Sequence, residues 1–233
     1  MVRIVFLGPP GSGKGTYATR IAPELGIPHI SSSGIFKDAE KAGLEMGKKA
    51  MEYIRQGKPV PDEIAIAAII ERLTQPDCKN GFIFDCPYNV YQAKKLDENP
   101  QTKIDLAVSF VWPKEILLEK LSARRVCENC YNIYNIANIQ REIEGVKYNL
   151  PPISPKVEGI CDKCGGKLVQ RPDDRMEAVK VRFEEYQKRG QPLVDYYKER
   201  GILIEIRPTA EPKIMVPKIL EAIRKFMSER GIK

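Results

Sequence analysis

Apolar residues along this chain fall into two alternating spacings. Short, largely apolar runs stand at Val2–Leu7, at Gly81–Phe84 with Asp85 at the end, at Leu106–Val111 and at Ile202–Ile206. Runs of that length bounded by turn residues predict buried strands. Between them the pattern predicts helices. One runs from Lys14 to about Leu25 and is broken by Gly26-Ile27-Pro28, and a short one starts near Gly34 with Ser31, Ser32 and Ser33 as hydroxyl N-caps. Another spans Leu44–Gln56 and stops at Gly57-Lys58-Pro59. Pro61-Asp62 opens the next, which carries Ile64, Ala67, Ala68 and Leu73 at helical spacing. Tyr91–Glu98, Glu115–Arg125, Asp173–Arg189, Gln191–Glu199 and Pro212–Arg230 read as further helices. This alternation predicts an α/β fold, a parallel sheet covered by helices on both faces.

The alternation stops between Val126 and Arg171. Cysteine pairs, prolines at 151, 152 and 155, and an Asn/Ile-rich run from Tyr131 to Ile139 mark an insertion with its own architecture. A chain of 233 residues suits one core with inserted segments better than two independent domains. The expected division is a core of 1–31, 62–125 and 173–233, with segments 32–61 and 126–172 inserted into it.

Composition adds little. The net charge of +7 suits an anionic partner without choosing among nucleotide phosphates, RNA and an acidic surface. No apolar run approaches the roughly 18 residues of a membrane-spanning helix. Met1 to Leu7 shows no targeting pattern, so a cytoplasmic protein without membrane partners is expected. High charge with few Asn and Gln outside the insertion suits a hot habitat.

Two motifs carry chemistry. Gly8-Pro9-Pro10-Gly11-Ser12-Gly13-Lys14 fits the phosphate-loop pattern, with Gly15-Thr16 where a hydroxyl residue usually follows the lysine. Such glycines let backbone N–H groups turn inward around phosphate oxygens, and the following helix adds its positive end. Lys14 is placed to bridge the β- and γ-phosphates, and Thr16 is the candidate hydroxyl near Mg2+. A flexible surface turn is the alternative, disfavoured by the strand before the loop and the helix after it.

The second motif is the pair Cys127-x-x-Cys130 and Cys161-x-x-Cys164. In a reducing compartment this spacing points to tetrahedral zinc rather than disulfides, and four sulfur ligands would make the metal structural. Redox pairs or incidental thiols are the alternative. Residues 131–160 separate the pairs, and so short an insertion would take most of its folding energy from the metal. Cys78 and Cys86 stand outside the site, Cys86 beside Asp85. His29, the only histidine, reads as structural.

With its loop spelled Gly-x-Pro-Gly-x-Gly-Lys-Gly-Thr, the chain resembles the adenylate kinase family. Further matches follow in order: Gly57-Lys58-Pro59-Val60-Pro61-Asp62, Asn80 to Asp85, Gln92-Ala93, Arg124-Arg125-Val126, Pro155 to Gly159, Arg171 to Asp174, and Arg182. The resemblance implies a P-loop three-layer fold with an AMP-binding helical insertion and a zinc-bearing lid. It also implies reversible Mg-ATP:AMP phosphoryl transfer by a monomer. Gly11, Ser12, Gly13, Lys14, Gly15 and Thr16 would hold ATP with Lys120 and Arg124, and Ser32, Lys37, Gln92, Arg171 and Arg182 would hold AMP. Lys14, Arg124, Arg171 and Arg182 match groups that neutralise the transferring phosphoryl, and Asp85 matches a carboxylate that orders magnesium-bound water. Gln92 matches the reader of the adenine edge, and Ser32 keeps a hydroxyl at the base-reading position.

The match fails around the acceptor. Asp85-Cys86-Pro87-Tyr88-Asn89, one residue shorter, stands where the family has Asp-Gly-Phe-Pro-Arg, whose arginine holds the AMP phosphate. Lys37 and Lys120 stand for arginines and Gly34 for an acid. Lysine keeps charge but loses the bidentate fork and the flat stacking surface. Arg55 and Lys58 are candidate substitutes. Another monophosphate as acceptor, or a catalytically weak nucleotide-binding or RNA-associated protein, are the alternatives. Against nucleic acid, the aromatics are not interleaved with Lys and Arg as a stacking platform requires.

Overall fold

The computed structural model describes every residue except Gly57, Cys86, Pro172, Asp173 and Lys233, and all side chains but those and Ser33. The expectations for Cys86, for Gly57 as a helix stop and for a helix start at Asp173 therefore lie outside the described residues.

The central sheet is built from β1 (Val2–Leu7), β2 (His29–Ser31), β3 (Gly81–Asp85), β4 (Leu106–Phe110) and β10 (Leu203–Ile206). Its order is β10-β4-β1-β3-β2, and every pairing is parallel. Strand side chains alternate between faces. Ile4 and Phe6 of β1 join one buried cluster, and Val5 and Leu7 join the other. Helices α1 (Lys14–Leu25), α6 (Lys114–Ser122) and α8 (Pro212–Glu229) supply buried residues to the first. To the second come α2 (Ser32–Lys41), α3 (Glu45–Arg55), α4 (Asp62–Leu73), α5 (Val90–Glu98) and α7 (Met176–Glu199). This is the predicted three-layer arrangement. Ser31 caps α2 through its side chain, which accepts from Gly34 N at 3.1 Å.

From β3 the chain crosses over β1 to reach β4, so the loops at the C-terminal ends of β1 and β4 diverge and leave a crevice. The glycine loop after β1 lies there. Arg3 ties the two strands together through Asp105, with Nε to Oδ2 at 2.9 Å.

Two boundaries differ from expectation. The helix expected over Glu115–Arg125 ends at Ser122, and Arg124 begins β5 (Arg124–Cys127). The two helices expected on either side of residue 190 are one, α7, with Pro192 inside it. A mid-helix proline removes a hydrogen bond and normally bends or breaks the element. Here Leu193, Val194 and Tyr197 are buried against the sheet and carry the helix through.

The insertion contains two small sheets. β5, β6 (Ile133–Asn135) and β9 (Leu168–Val169) form one in the order β6-β5-β9, and β7 (Ile139–Ile143) and β8 (Val146–Leu150) form a hairpin. Among the described residues, no helix is long and apolar enough to cross a membrane.

Candidate active site and metal centre

The glycine loop takes a backbone that side-chain-bearing residues resist. Gly8, Gly11 and Gly13 have φ of 146°, 80° and 89°. Lys14 folds over the loop and donates to Gly8 O at 2.5 Å and Pro9 O at 3.2 Å. The Ser12 hydroxyl is buried with no hydrogen-bond partner among the described residues, an orphan suited to an anionic oxygen. The Ser12 carbonyl accepts from Trp112 Nε1 at 3.0 Å.

Above the loop opens a cleft of about 610 Å³. Gly11 to Thr16 line it, together with Asp85, Lys120, Arg124, Arg171 and Arg182. Residues from five elements and two connections thus meet where the sequence alone could only align them. Asp85 ends β3 and faces the loop, its Oδ2 3.7 Å from where a side chain on residue 15 would begin. His29 also lines the cleft, with Nε2 3.0 Å from Asp85 Oδ1, although the contact lacks hydrogen-bond geometry. The histidine read as structural therefore stands beside the expected magnesium carboxylate. A buried carboxylate oxygen that lacks a hydrogen-bond partner among the described residues, close to the phosphate loop, fits a hydrated cation.

Asp174, which sequence reasoning quoted only as part of a motif, organises the arginines. Its side chain is fully buried and accepts from Arg124 Nε at 2.7 Å and from Arg182 Nη1 at 3.3 Å. Asp174 N also donates to Arg171 O at 3.0 Å. One carboxylate thus holds two guanidinium groups at the cleft and screens their mutual repulsion. Lys120 extends over the Trp112 ring at 3.7 Å from its centroid, and burial pushes its ammonium down to about 7.

The residues expected to hold the acceptor are arranged differently, for Ser32, Lys37 and Gln92 do not line this cleft. Lys37 Nζ lies 4.3 Å above the ring of Tyr131, an insertion residue that does. Gln92 is buried, its amide oriented by two bonds: Nε2 donates to Asp62 Oδ1 and Oε1 accepts from Tyr88 N, both at 2.8 Å. Tyr88 stands where the family arginine is missing, and the Arg189 guanidinium sits 4.7 Å above its ring. Arg55 is paired with Glu40 at 2.6 Å, and Arg189 with Glu185 at 2.8 Å.

All four cysteine sulfurs of the insertion lie within 4.8 Å of one another. Cys127 and Cys164 are 3.4 Å apart and Cys130 and Cys161 3.6 Å apart, close to the about 3.8 Å edge of a tetrahedron with zinc–sulfur bonds near 2.3 Å. Backbone N–H groups, that of Cys130 foremost, draw the Cys127 thiol below its usual range. Gly165 turns with φ of 71°, and a Cβ on Gly166 would fall 2.9 Å from Cys127 Sγ. Tyr134 supports the cluster by donating to Cys161 Sγ at 3.6 Å and accepting from Asp162 N at 2.7 Å. Among the described residues, Tyr134 and Leu168 are the other buried members of this small core. The donor set fits a structural zinc.

Comparison with known proteins agrees with this geometry. The profile described as adenylate kinase matches residues 6–202. An adenylate kinase of Archaeoglobus fulgidus is 42% identical over 90% of this chain and 92% of its own length. One from Caldicellulosiruptor bescii is 40% identical over 95% and 99%, and one from Thermoanaerobacter sp. 37% identical over 99% and 100%. A glycine loop, its converging arginines and relatives of nearly equal length all point the same way: the chain belongs to the adenylate kinase family.

Proposed function

We propose that this protein is an adenylate kinase that transfers the γ-phosphoryl group of Mg-ATP reversibly to AMP, giving two ADP. The observation that carries the reading is the convergence of Lys14, Arg124, Arg171 and Arg182 on one cleft floored by the phosphate loop. An AMP phosphate oxygen attacks the γ-phosphorus, and the bond from that phosphorus to its β-bridging oxygen breaks. No side chain forms a covalent bond, so positioning and charge neutralisation supply most of the rate. Bound Mg2+ would neutralise phosphate charge, and Asp85 and Thr16 are the residues to hold its shell. A zinc held by Cys127, Cys130, Cys161 and Cys164 would keep the insertion folded, with no sulfur-free position for substrate.

On the acceptor side, Asp62 and Tyr88 N fix the Gln92 amide without exhausting it, since an amide carries two donors and two lone pairs. Arg189, held over Tyr88, supplies the acceptor-phosphate cation in place of the missing arginine. It lies seven residues beyond Arg182 on α7, and seven residues make about two turns, so the two share a helix face.

The test is ADP formation from Mg-ATP against AMP, GMP, CMP, UMP and dTMP, with Lys14→Ala as the inactive control. Turnover with AMP alone supports the assignment. Preference for another monophosphate, the alternative raised by Tyr88, would replace the acceptor, and turnover with none would favour a binding protein.

A further inference from the structure

The sequence assigns no role to the long middle of the insertion, and the structure folds it into the β7–β8 hairpin. Glu144 and Gly145, with φ of 50° and 74°, make the two-residue turn. The register pairs Ile139 with Leu150, Arg141 with Tyr148 and Ile143 with Val146, which puts these six on one face. Gln140, Glu142, Lys147 and Asn149 occupy the exposed face.

A lone hairpin is marginal in water. This one is docked on the core. Ile139 is 0% and Tyr148 2% exposed, and both belong to the same buried cluster as Trp112, Ile116 and Leu220. The Tyr148 ring stacks with Trp112, centroids 6.3 Å apart and planes 28° apart. Asn149 N donates to Thr209 O at 2.8 Å, and Arg141 pairs with Glu119 of α6.

The docked hairpin lines the cleft. Ala137, Ile139, Leu150 and Pro151 face it from the insertion, and Ala210 and Pro212 line it from the stretch leading into α8. Lys120 stands beside this wall, over the Trp112 ring, and the phosphate loop adjoins it through Ser12 O, which accepts from the indole N–H at 3.0 Å. An apolar wall beside a phosphate site suits a heterocyclic base.

We propose that the β7–β8 hairpin is the donor-base wall of this enzyme, clasped to the core by Tyr148 on Trp112, and that it sets how tightly the base of the triphosphate is held. This rests on the cleft being the Mg-ATP site. The wall grips by apolar area and acts on the donor alone.

Trp112 is the only tryptophan in the chain, so its emission reports the clasp. In Tyr148→Ala, emission should shift to the red. The KM for ATP should rise roughly tenfold, the usual scale for losing apolar contact in a pocket, with the KM for AMP within about twofold of wild type. Tyr148→Phe should restore both. Tripolyphosphate, which carries the phosphates without a base, should inhibit wild type and Tyr148→Ala with equal Ki. Should Tyr148→Ala fold poorly, Leu150→Ala trims the wall while sparing the stack, and it should raise the KM for ATP with emission unchanged. An unchanged KM for ATP in a folded variant overturns the proposal. So does a tripolyphosphate Ki that rises in step, since the hairpin would then act on the phosphate loop through Trp112 and Ser12. Failure of the underlying function is distinct, for wild type itself would then form no ADP.

Discussion

Replacing Asp174 by Asn keeps the shape of the side chain and removes the charge that holds two arginines. The carboxylate is fully buried, and the Arg124 and Arg182 side chains are 15% and 31% exposed. Breaking a buried ion pair by removing one partner costs about 3–5 kcal/mol. Both arginines keep some water, so the lower end, about 3 kcal/mol, is expected. For a chain of this size each kcal/mol moves Tm by about 2–4 °C, which gives a fall of about 6–12 °C. Function should suffer separately, because Arg124 and Arg182 lose the anchor that aims them at the transferring phosphoryl. Losing one preorganised donor costs about 10²–10³ in kcat, and displacing two should cost at least about 10². The KM for ATP should move only a few-fold, since the phosphate loop is untouched. Thermal unfolding by circular dichroism and a coupled ADP assay measure both. A kcat within threefold of wild type, roughly 0.6 kcal/mol, would refute the role given to Asp174.

Changing Cys127 and Cys130 together to serine should release about one equivalent of zinc and expose the insertion to protease while the core keeps its circular dichroism; stoichiometric metal in the purified variant would sink the site. Arg189→Gln should raise the KM for AMP about tenfold, the scale of a hydrogen bond to a charged group, and leave that for ATP within about twofold. Tyr88→Arg in the same chain should recover it, and an unchanged KM would return the acceptor cation to Lys58 or elsewhere. Lys120 titrates near 7 when folded and in the ordinary lysine range when unfolded, so the unfolded chain binds more protons between those limits. Stability should therefore rise with pH from about 7 upward. Lys120→Met should flatten that slope in urea unfolding between pH 6.5 and 9.5, and an unaltered slope would mean the burial of this ammonium has no consequence.

Much of the site was legible because its signals are local. Val2–Leu7, the glycines and Lys14 are contiguous, so strand, loop and helix can be read from a dozen residues. The cysteine pairs are likewise two short turns with metal spacing. Periodicity failed where packing overrides propensity. Gly190-Gln191-Pro192 looks like a break until Leu193, Val194 and Tyr197 are seen buried against the sheet. Arg124 and Arg125 look helical until Val126 pairs with Ile133 and Val169.

The sequence by itself determined the layered α/β core, the phosphate loop, the paired cysteines and the family, since each depends on residue order over short spans. Tertiary structure decided which groups meet. Asp174 reaches Arg124 across 50 positions, His29 stands beside Asp85, Arg189 covers Tyr88, and the hairpin of the insertion lies on Trp112. Such contacts leave no periodic trace along the chain, because they arise when the sheet order and the docking of the insertion bring distant segments into one cleft.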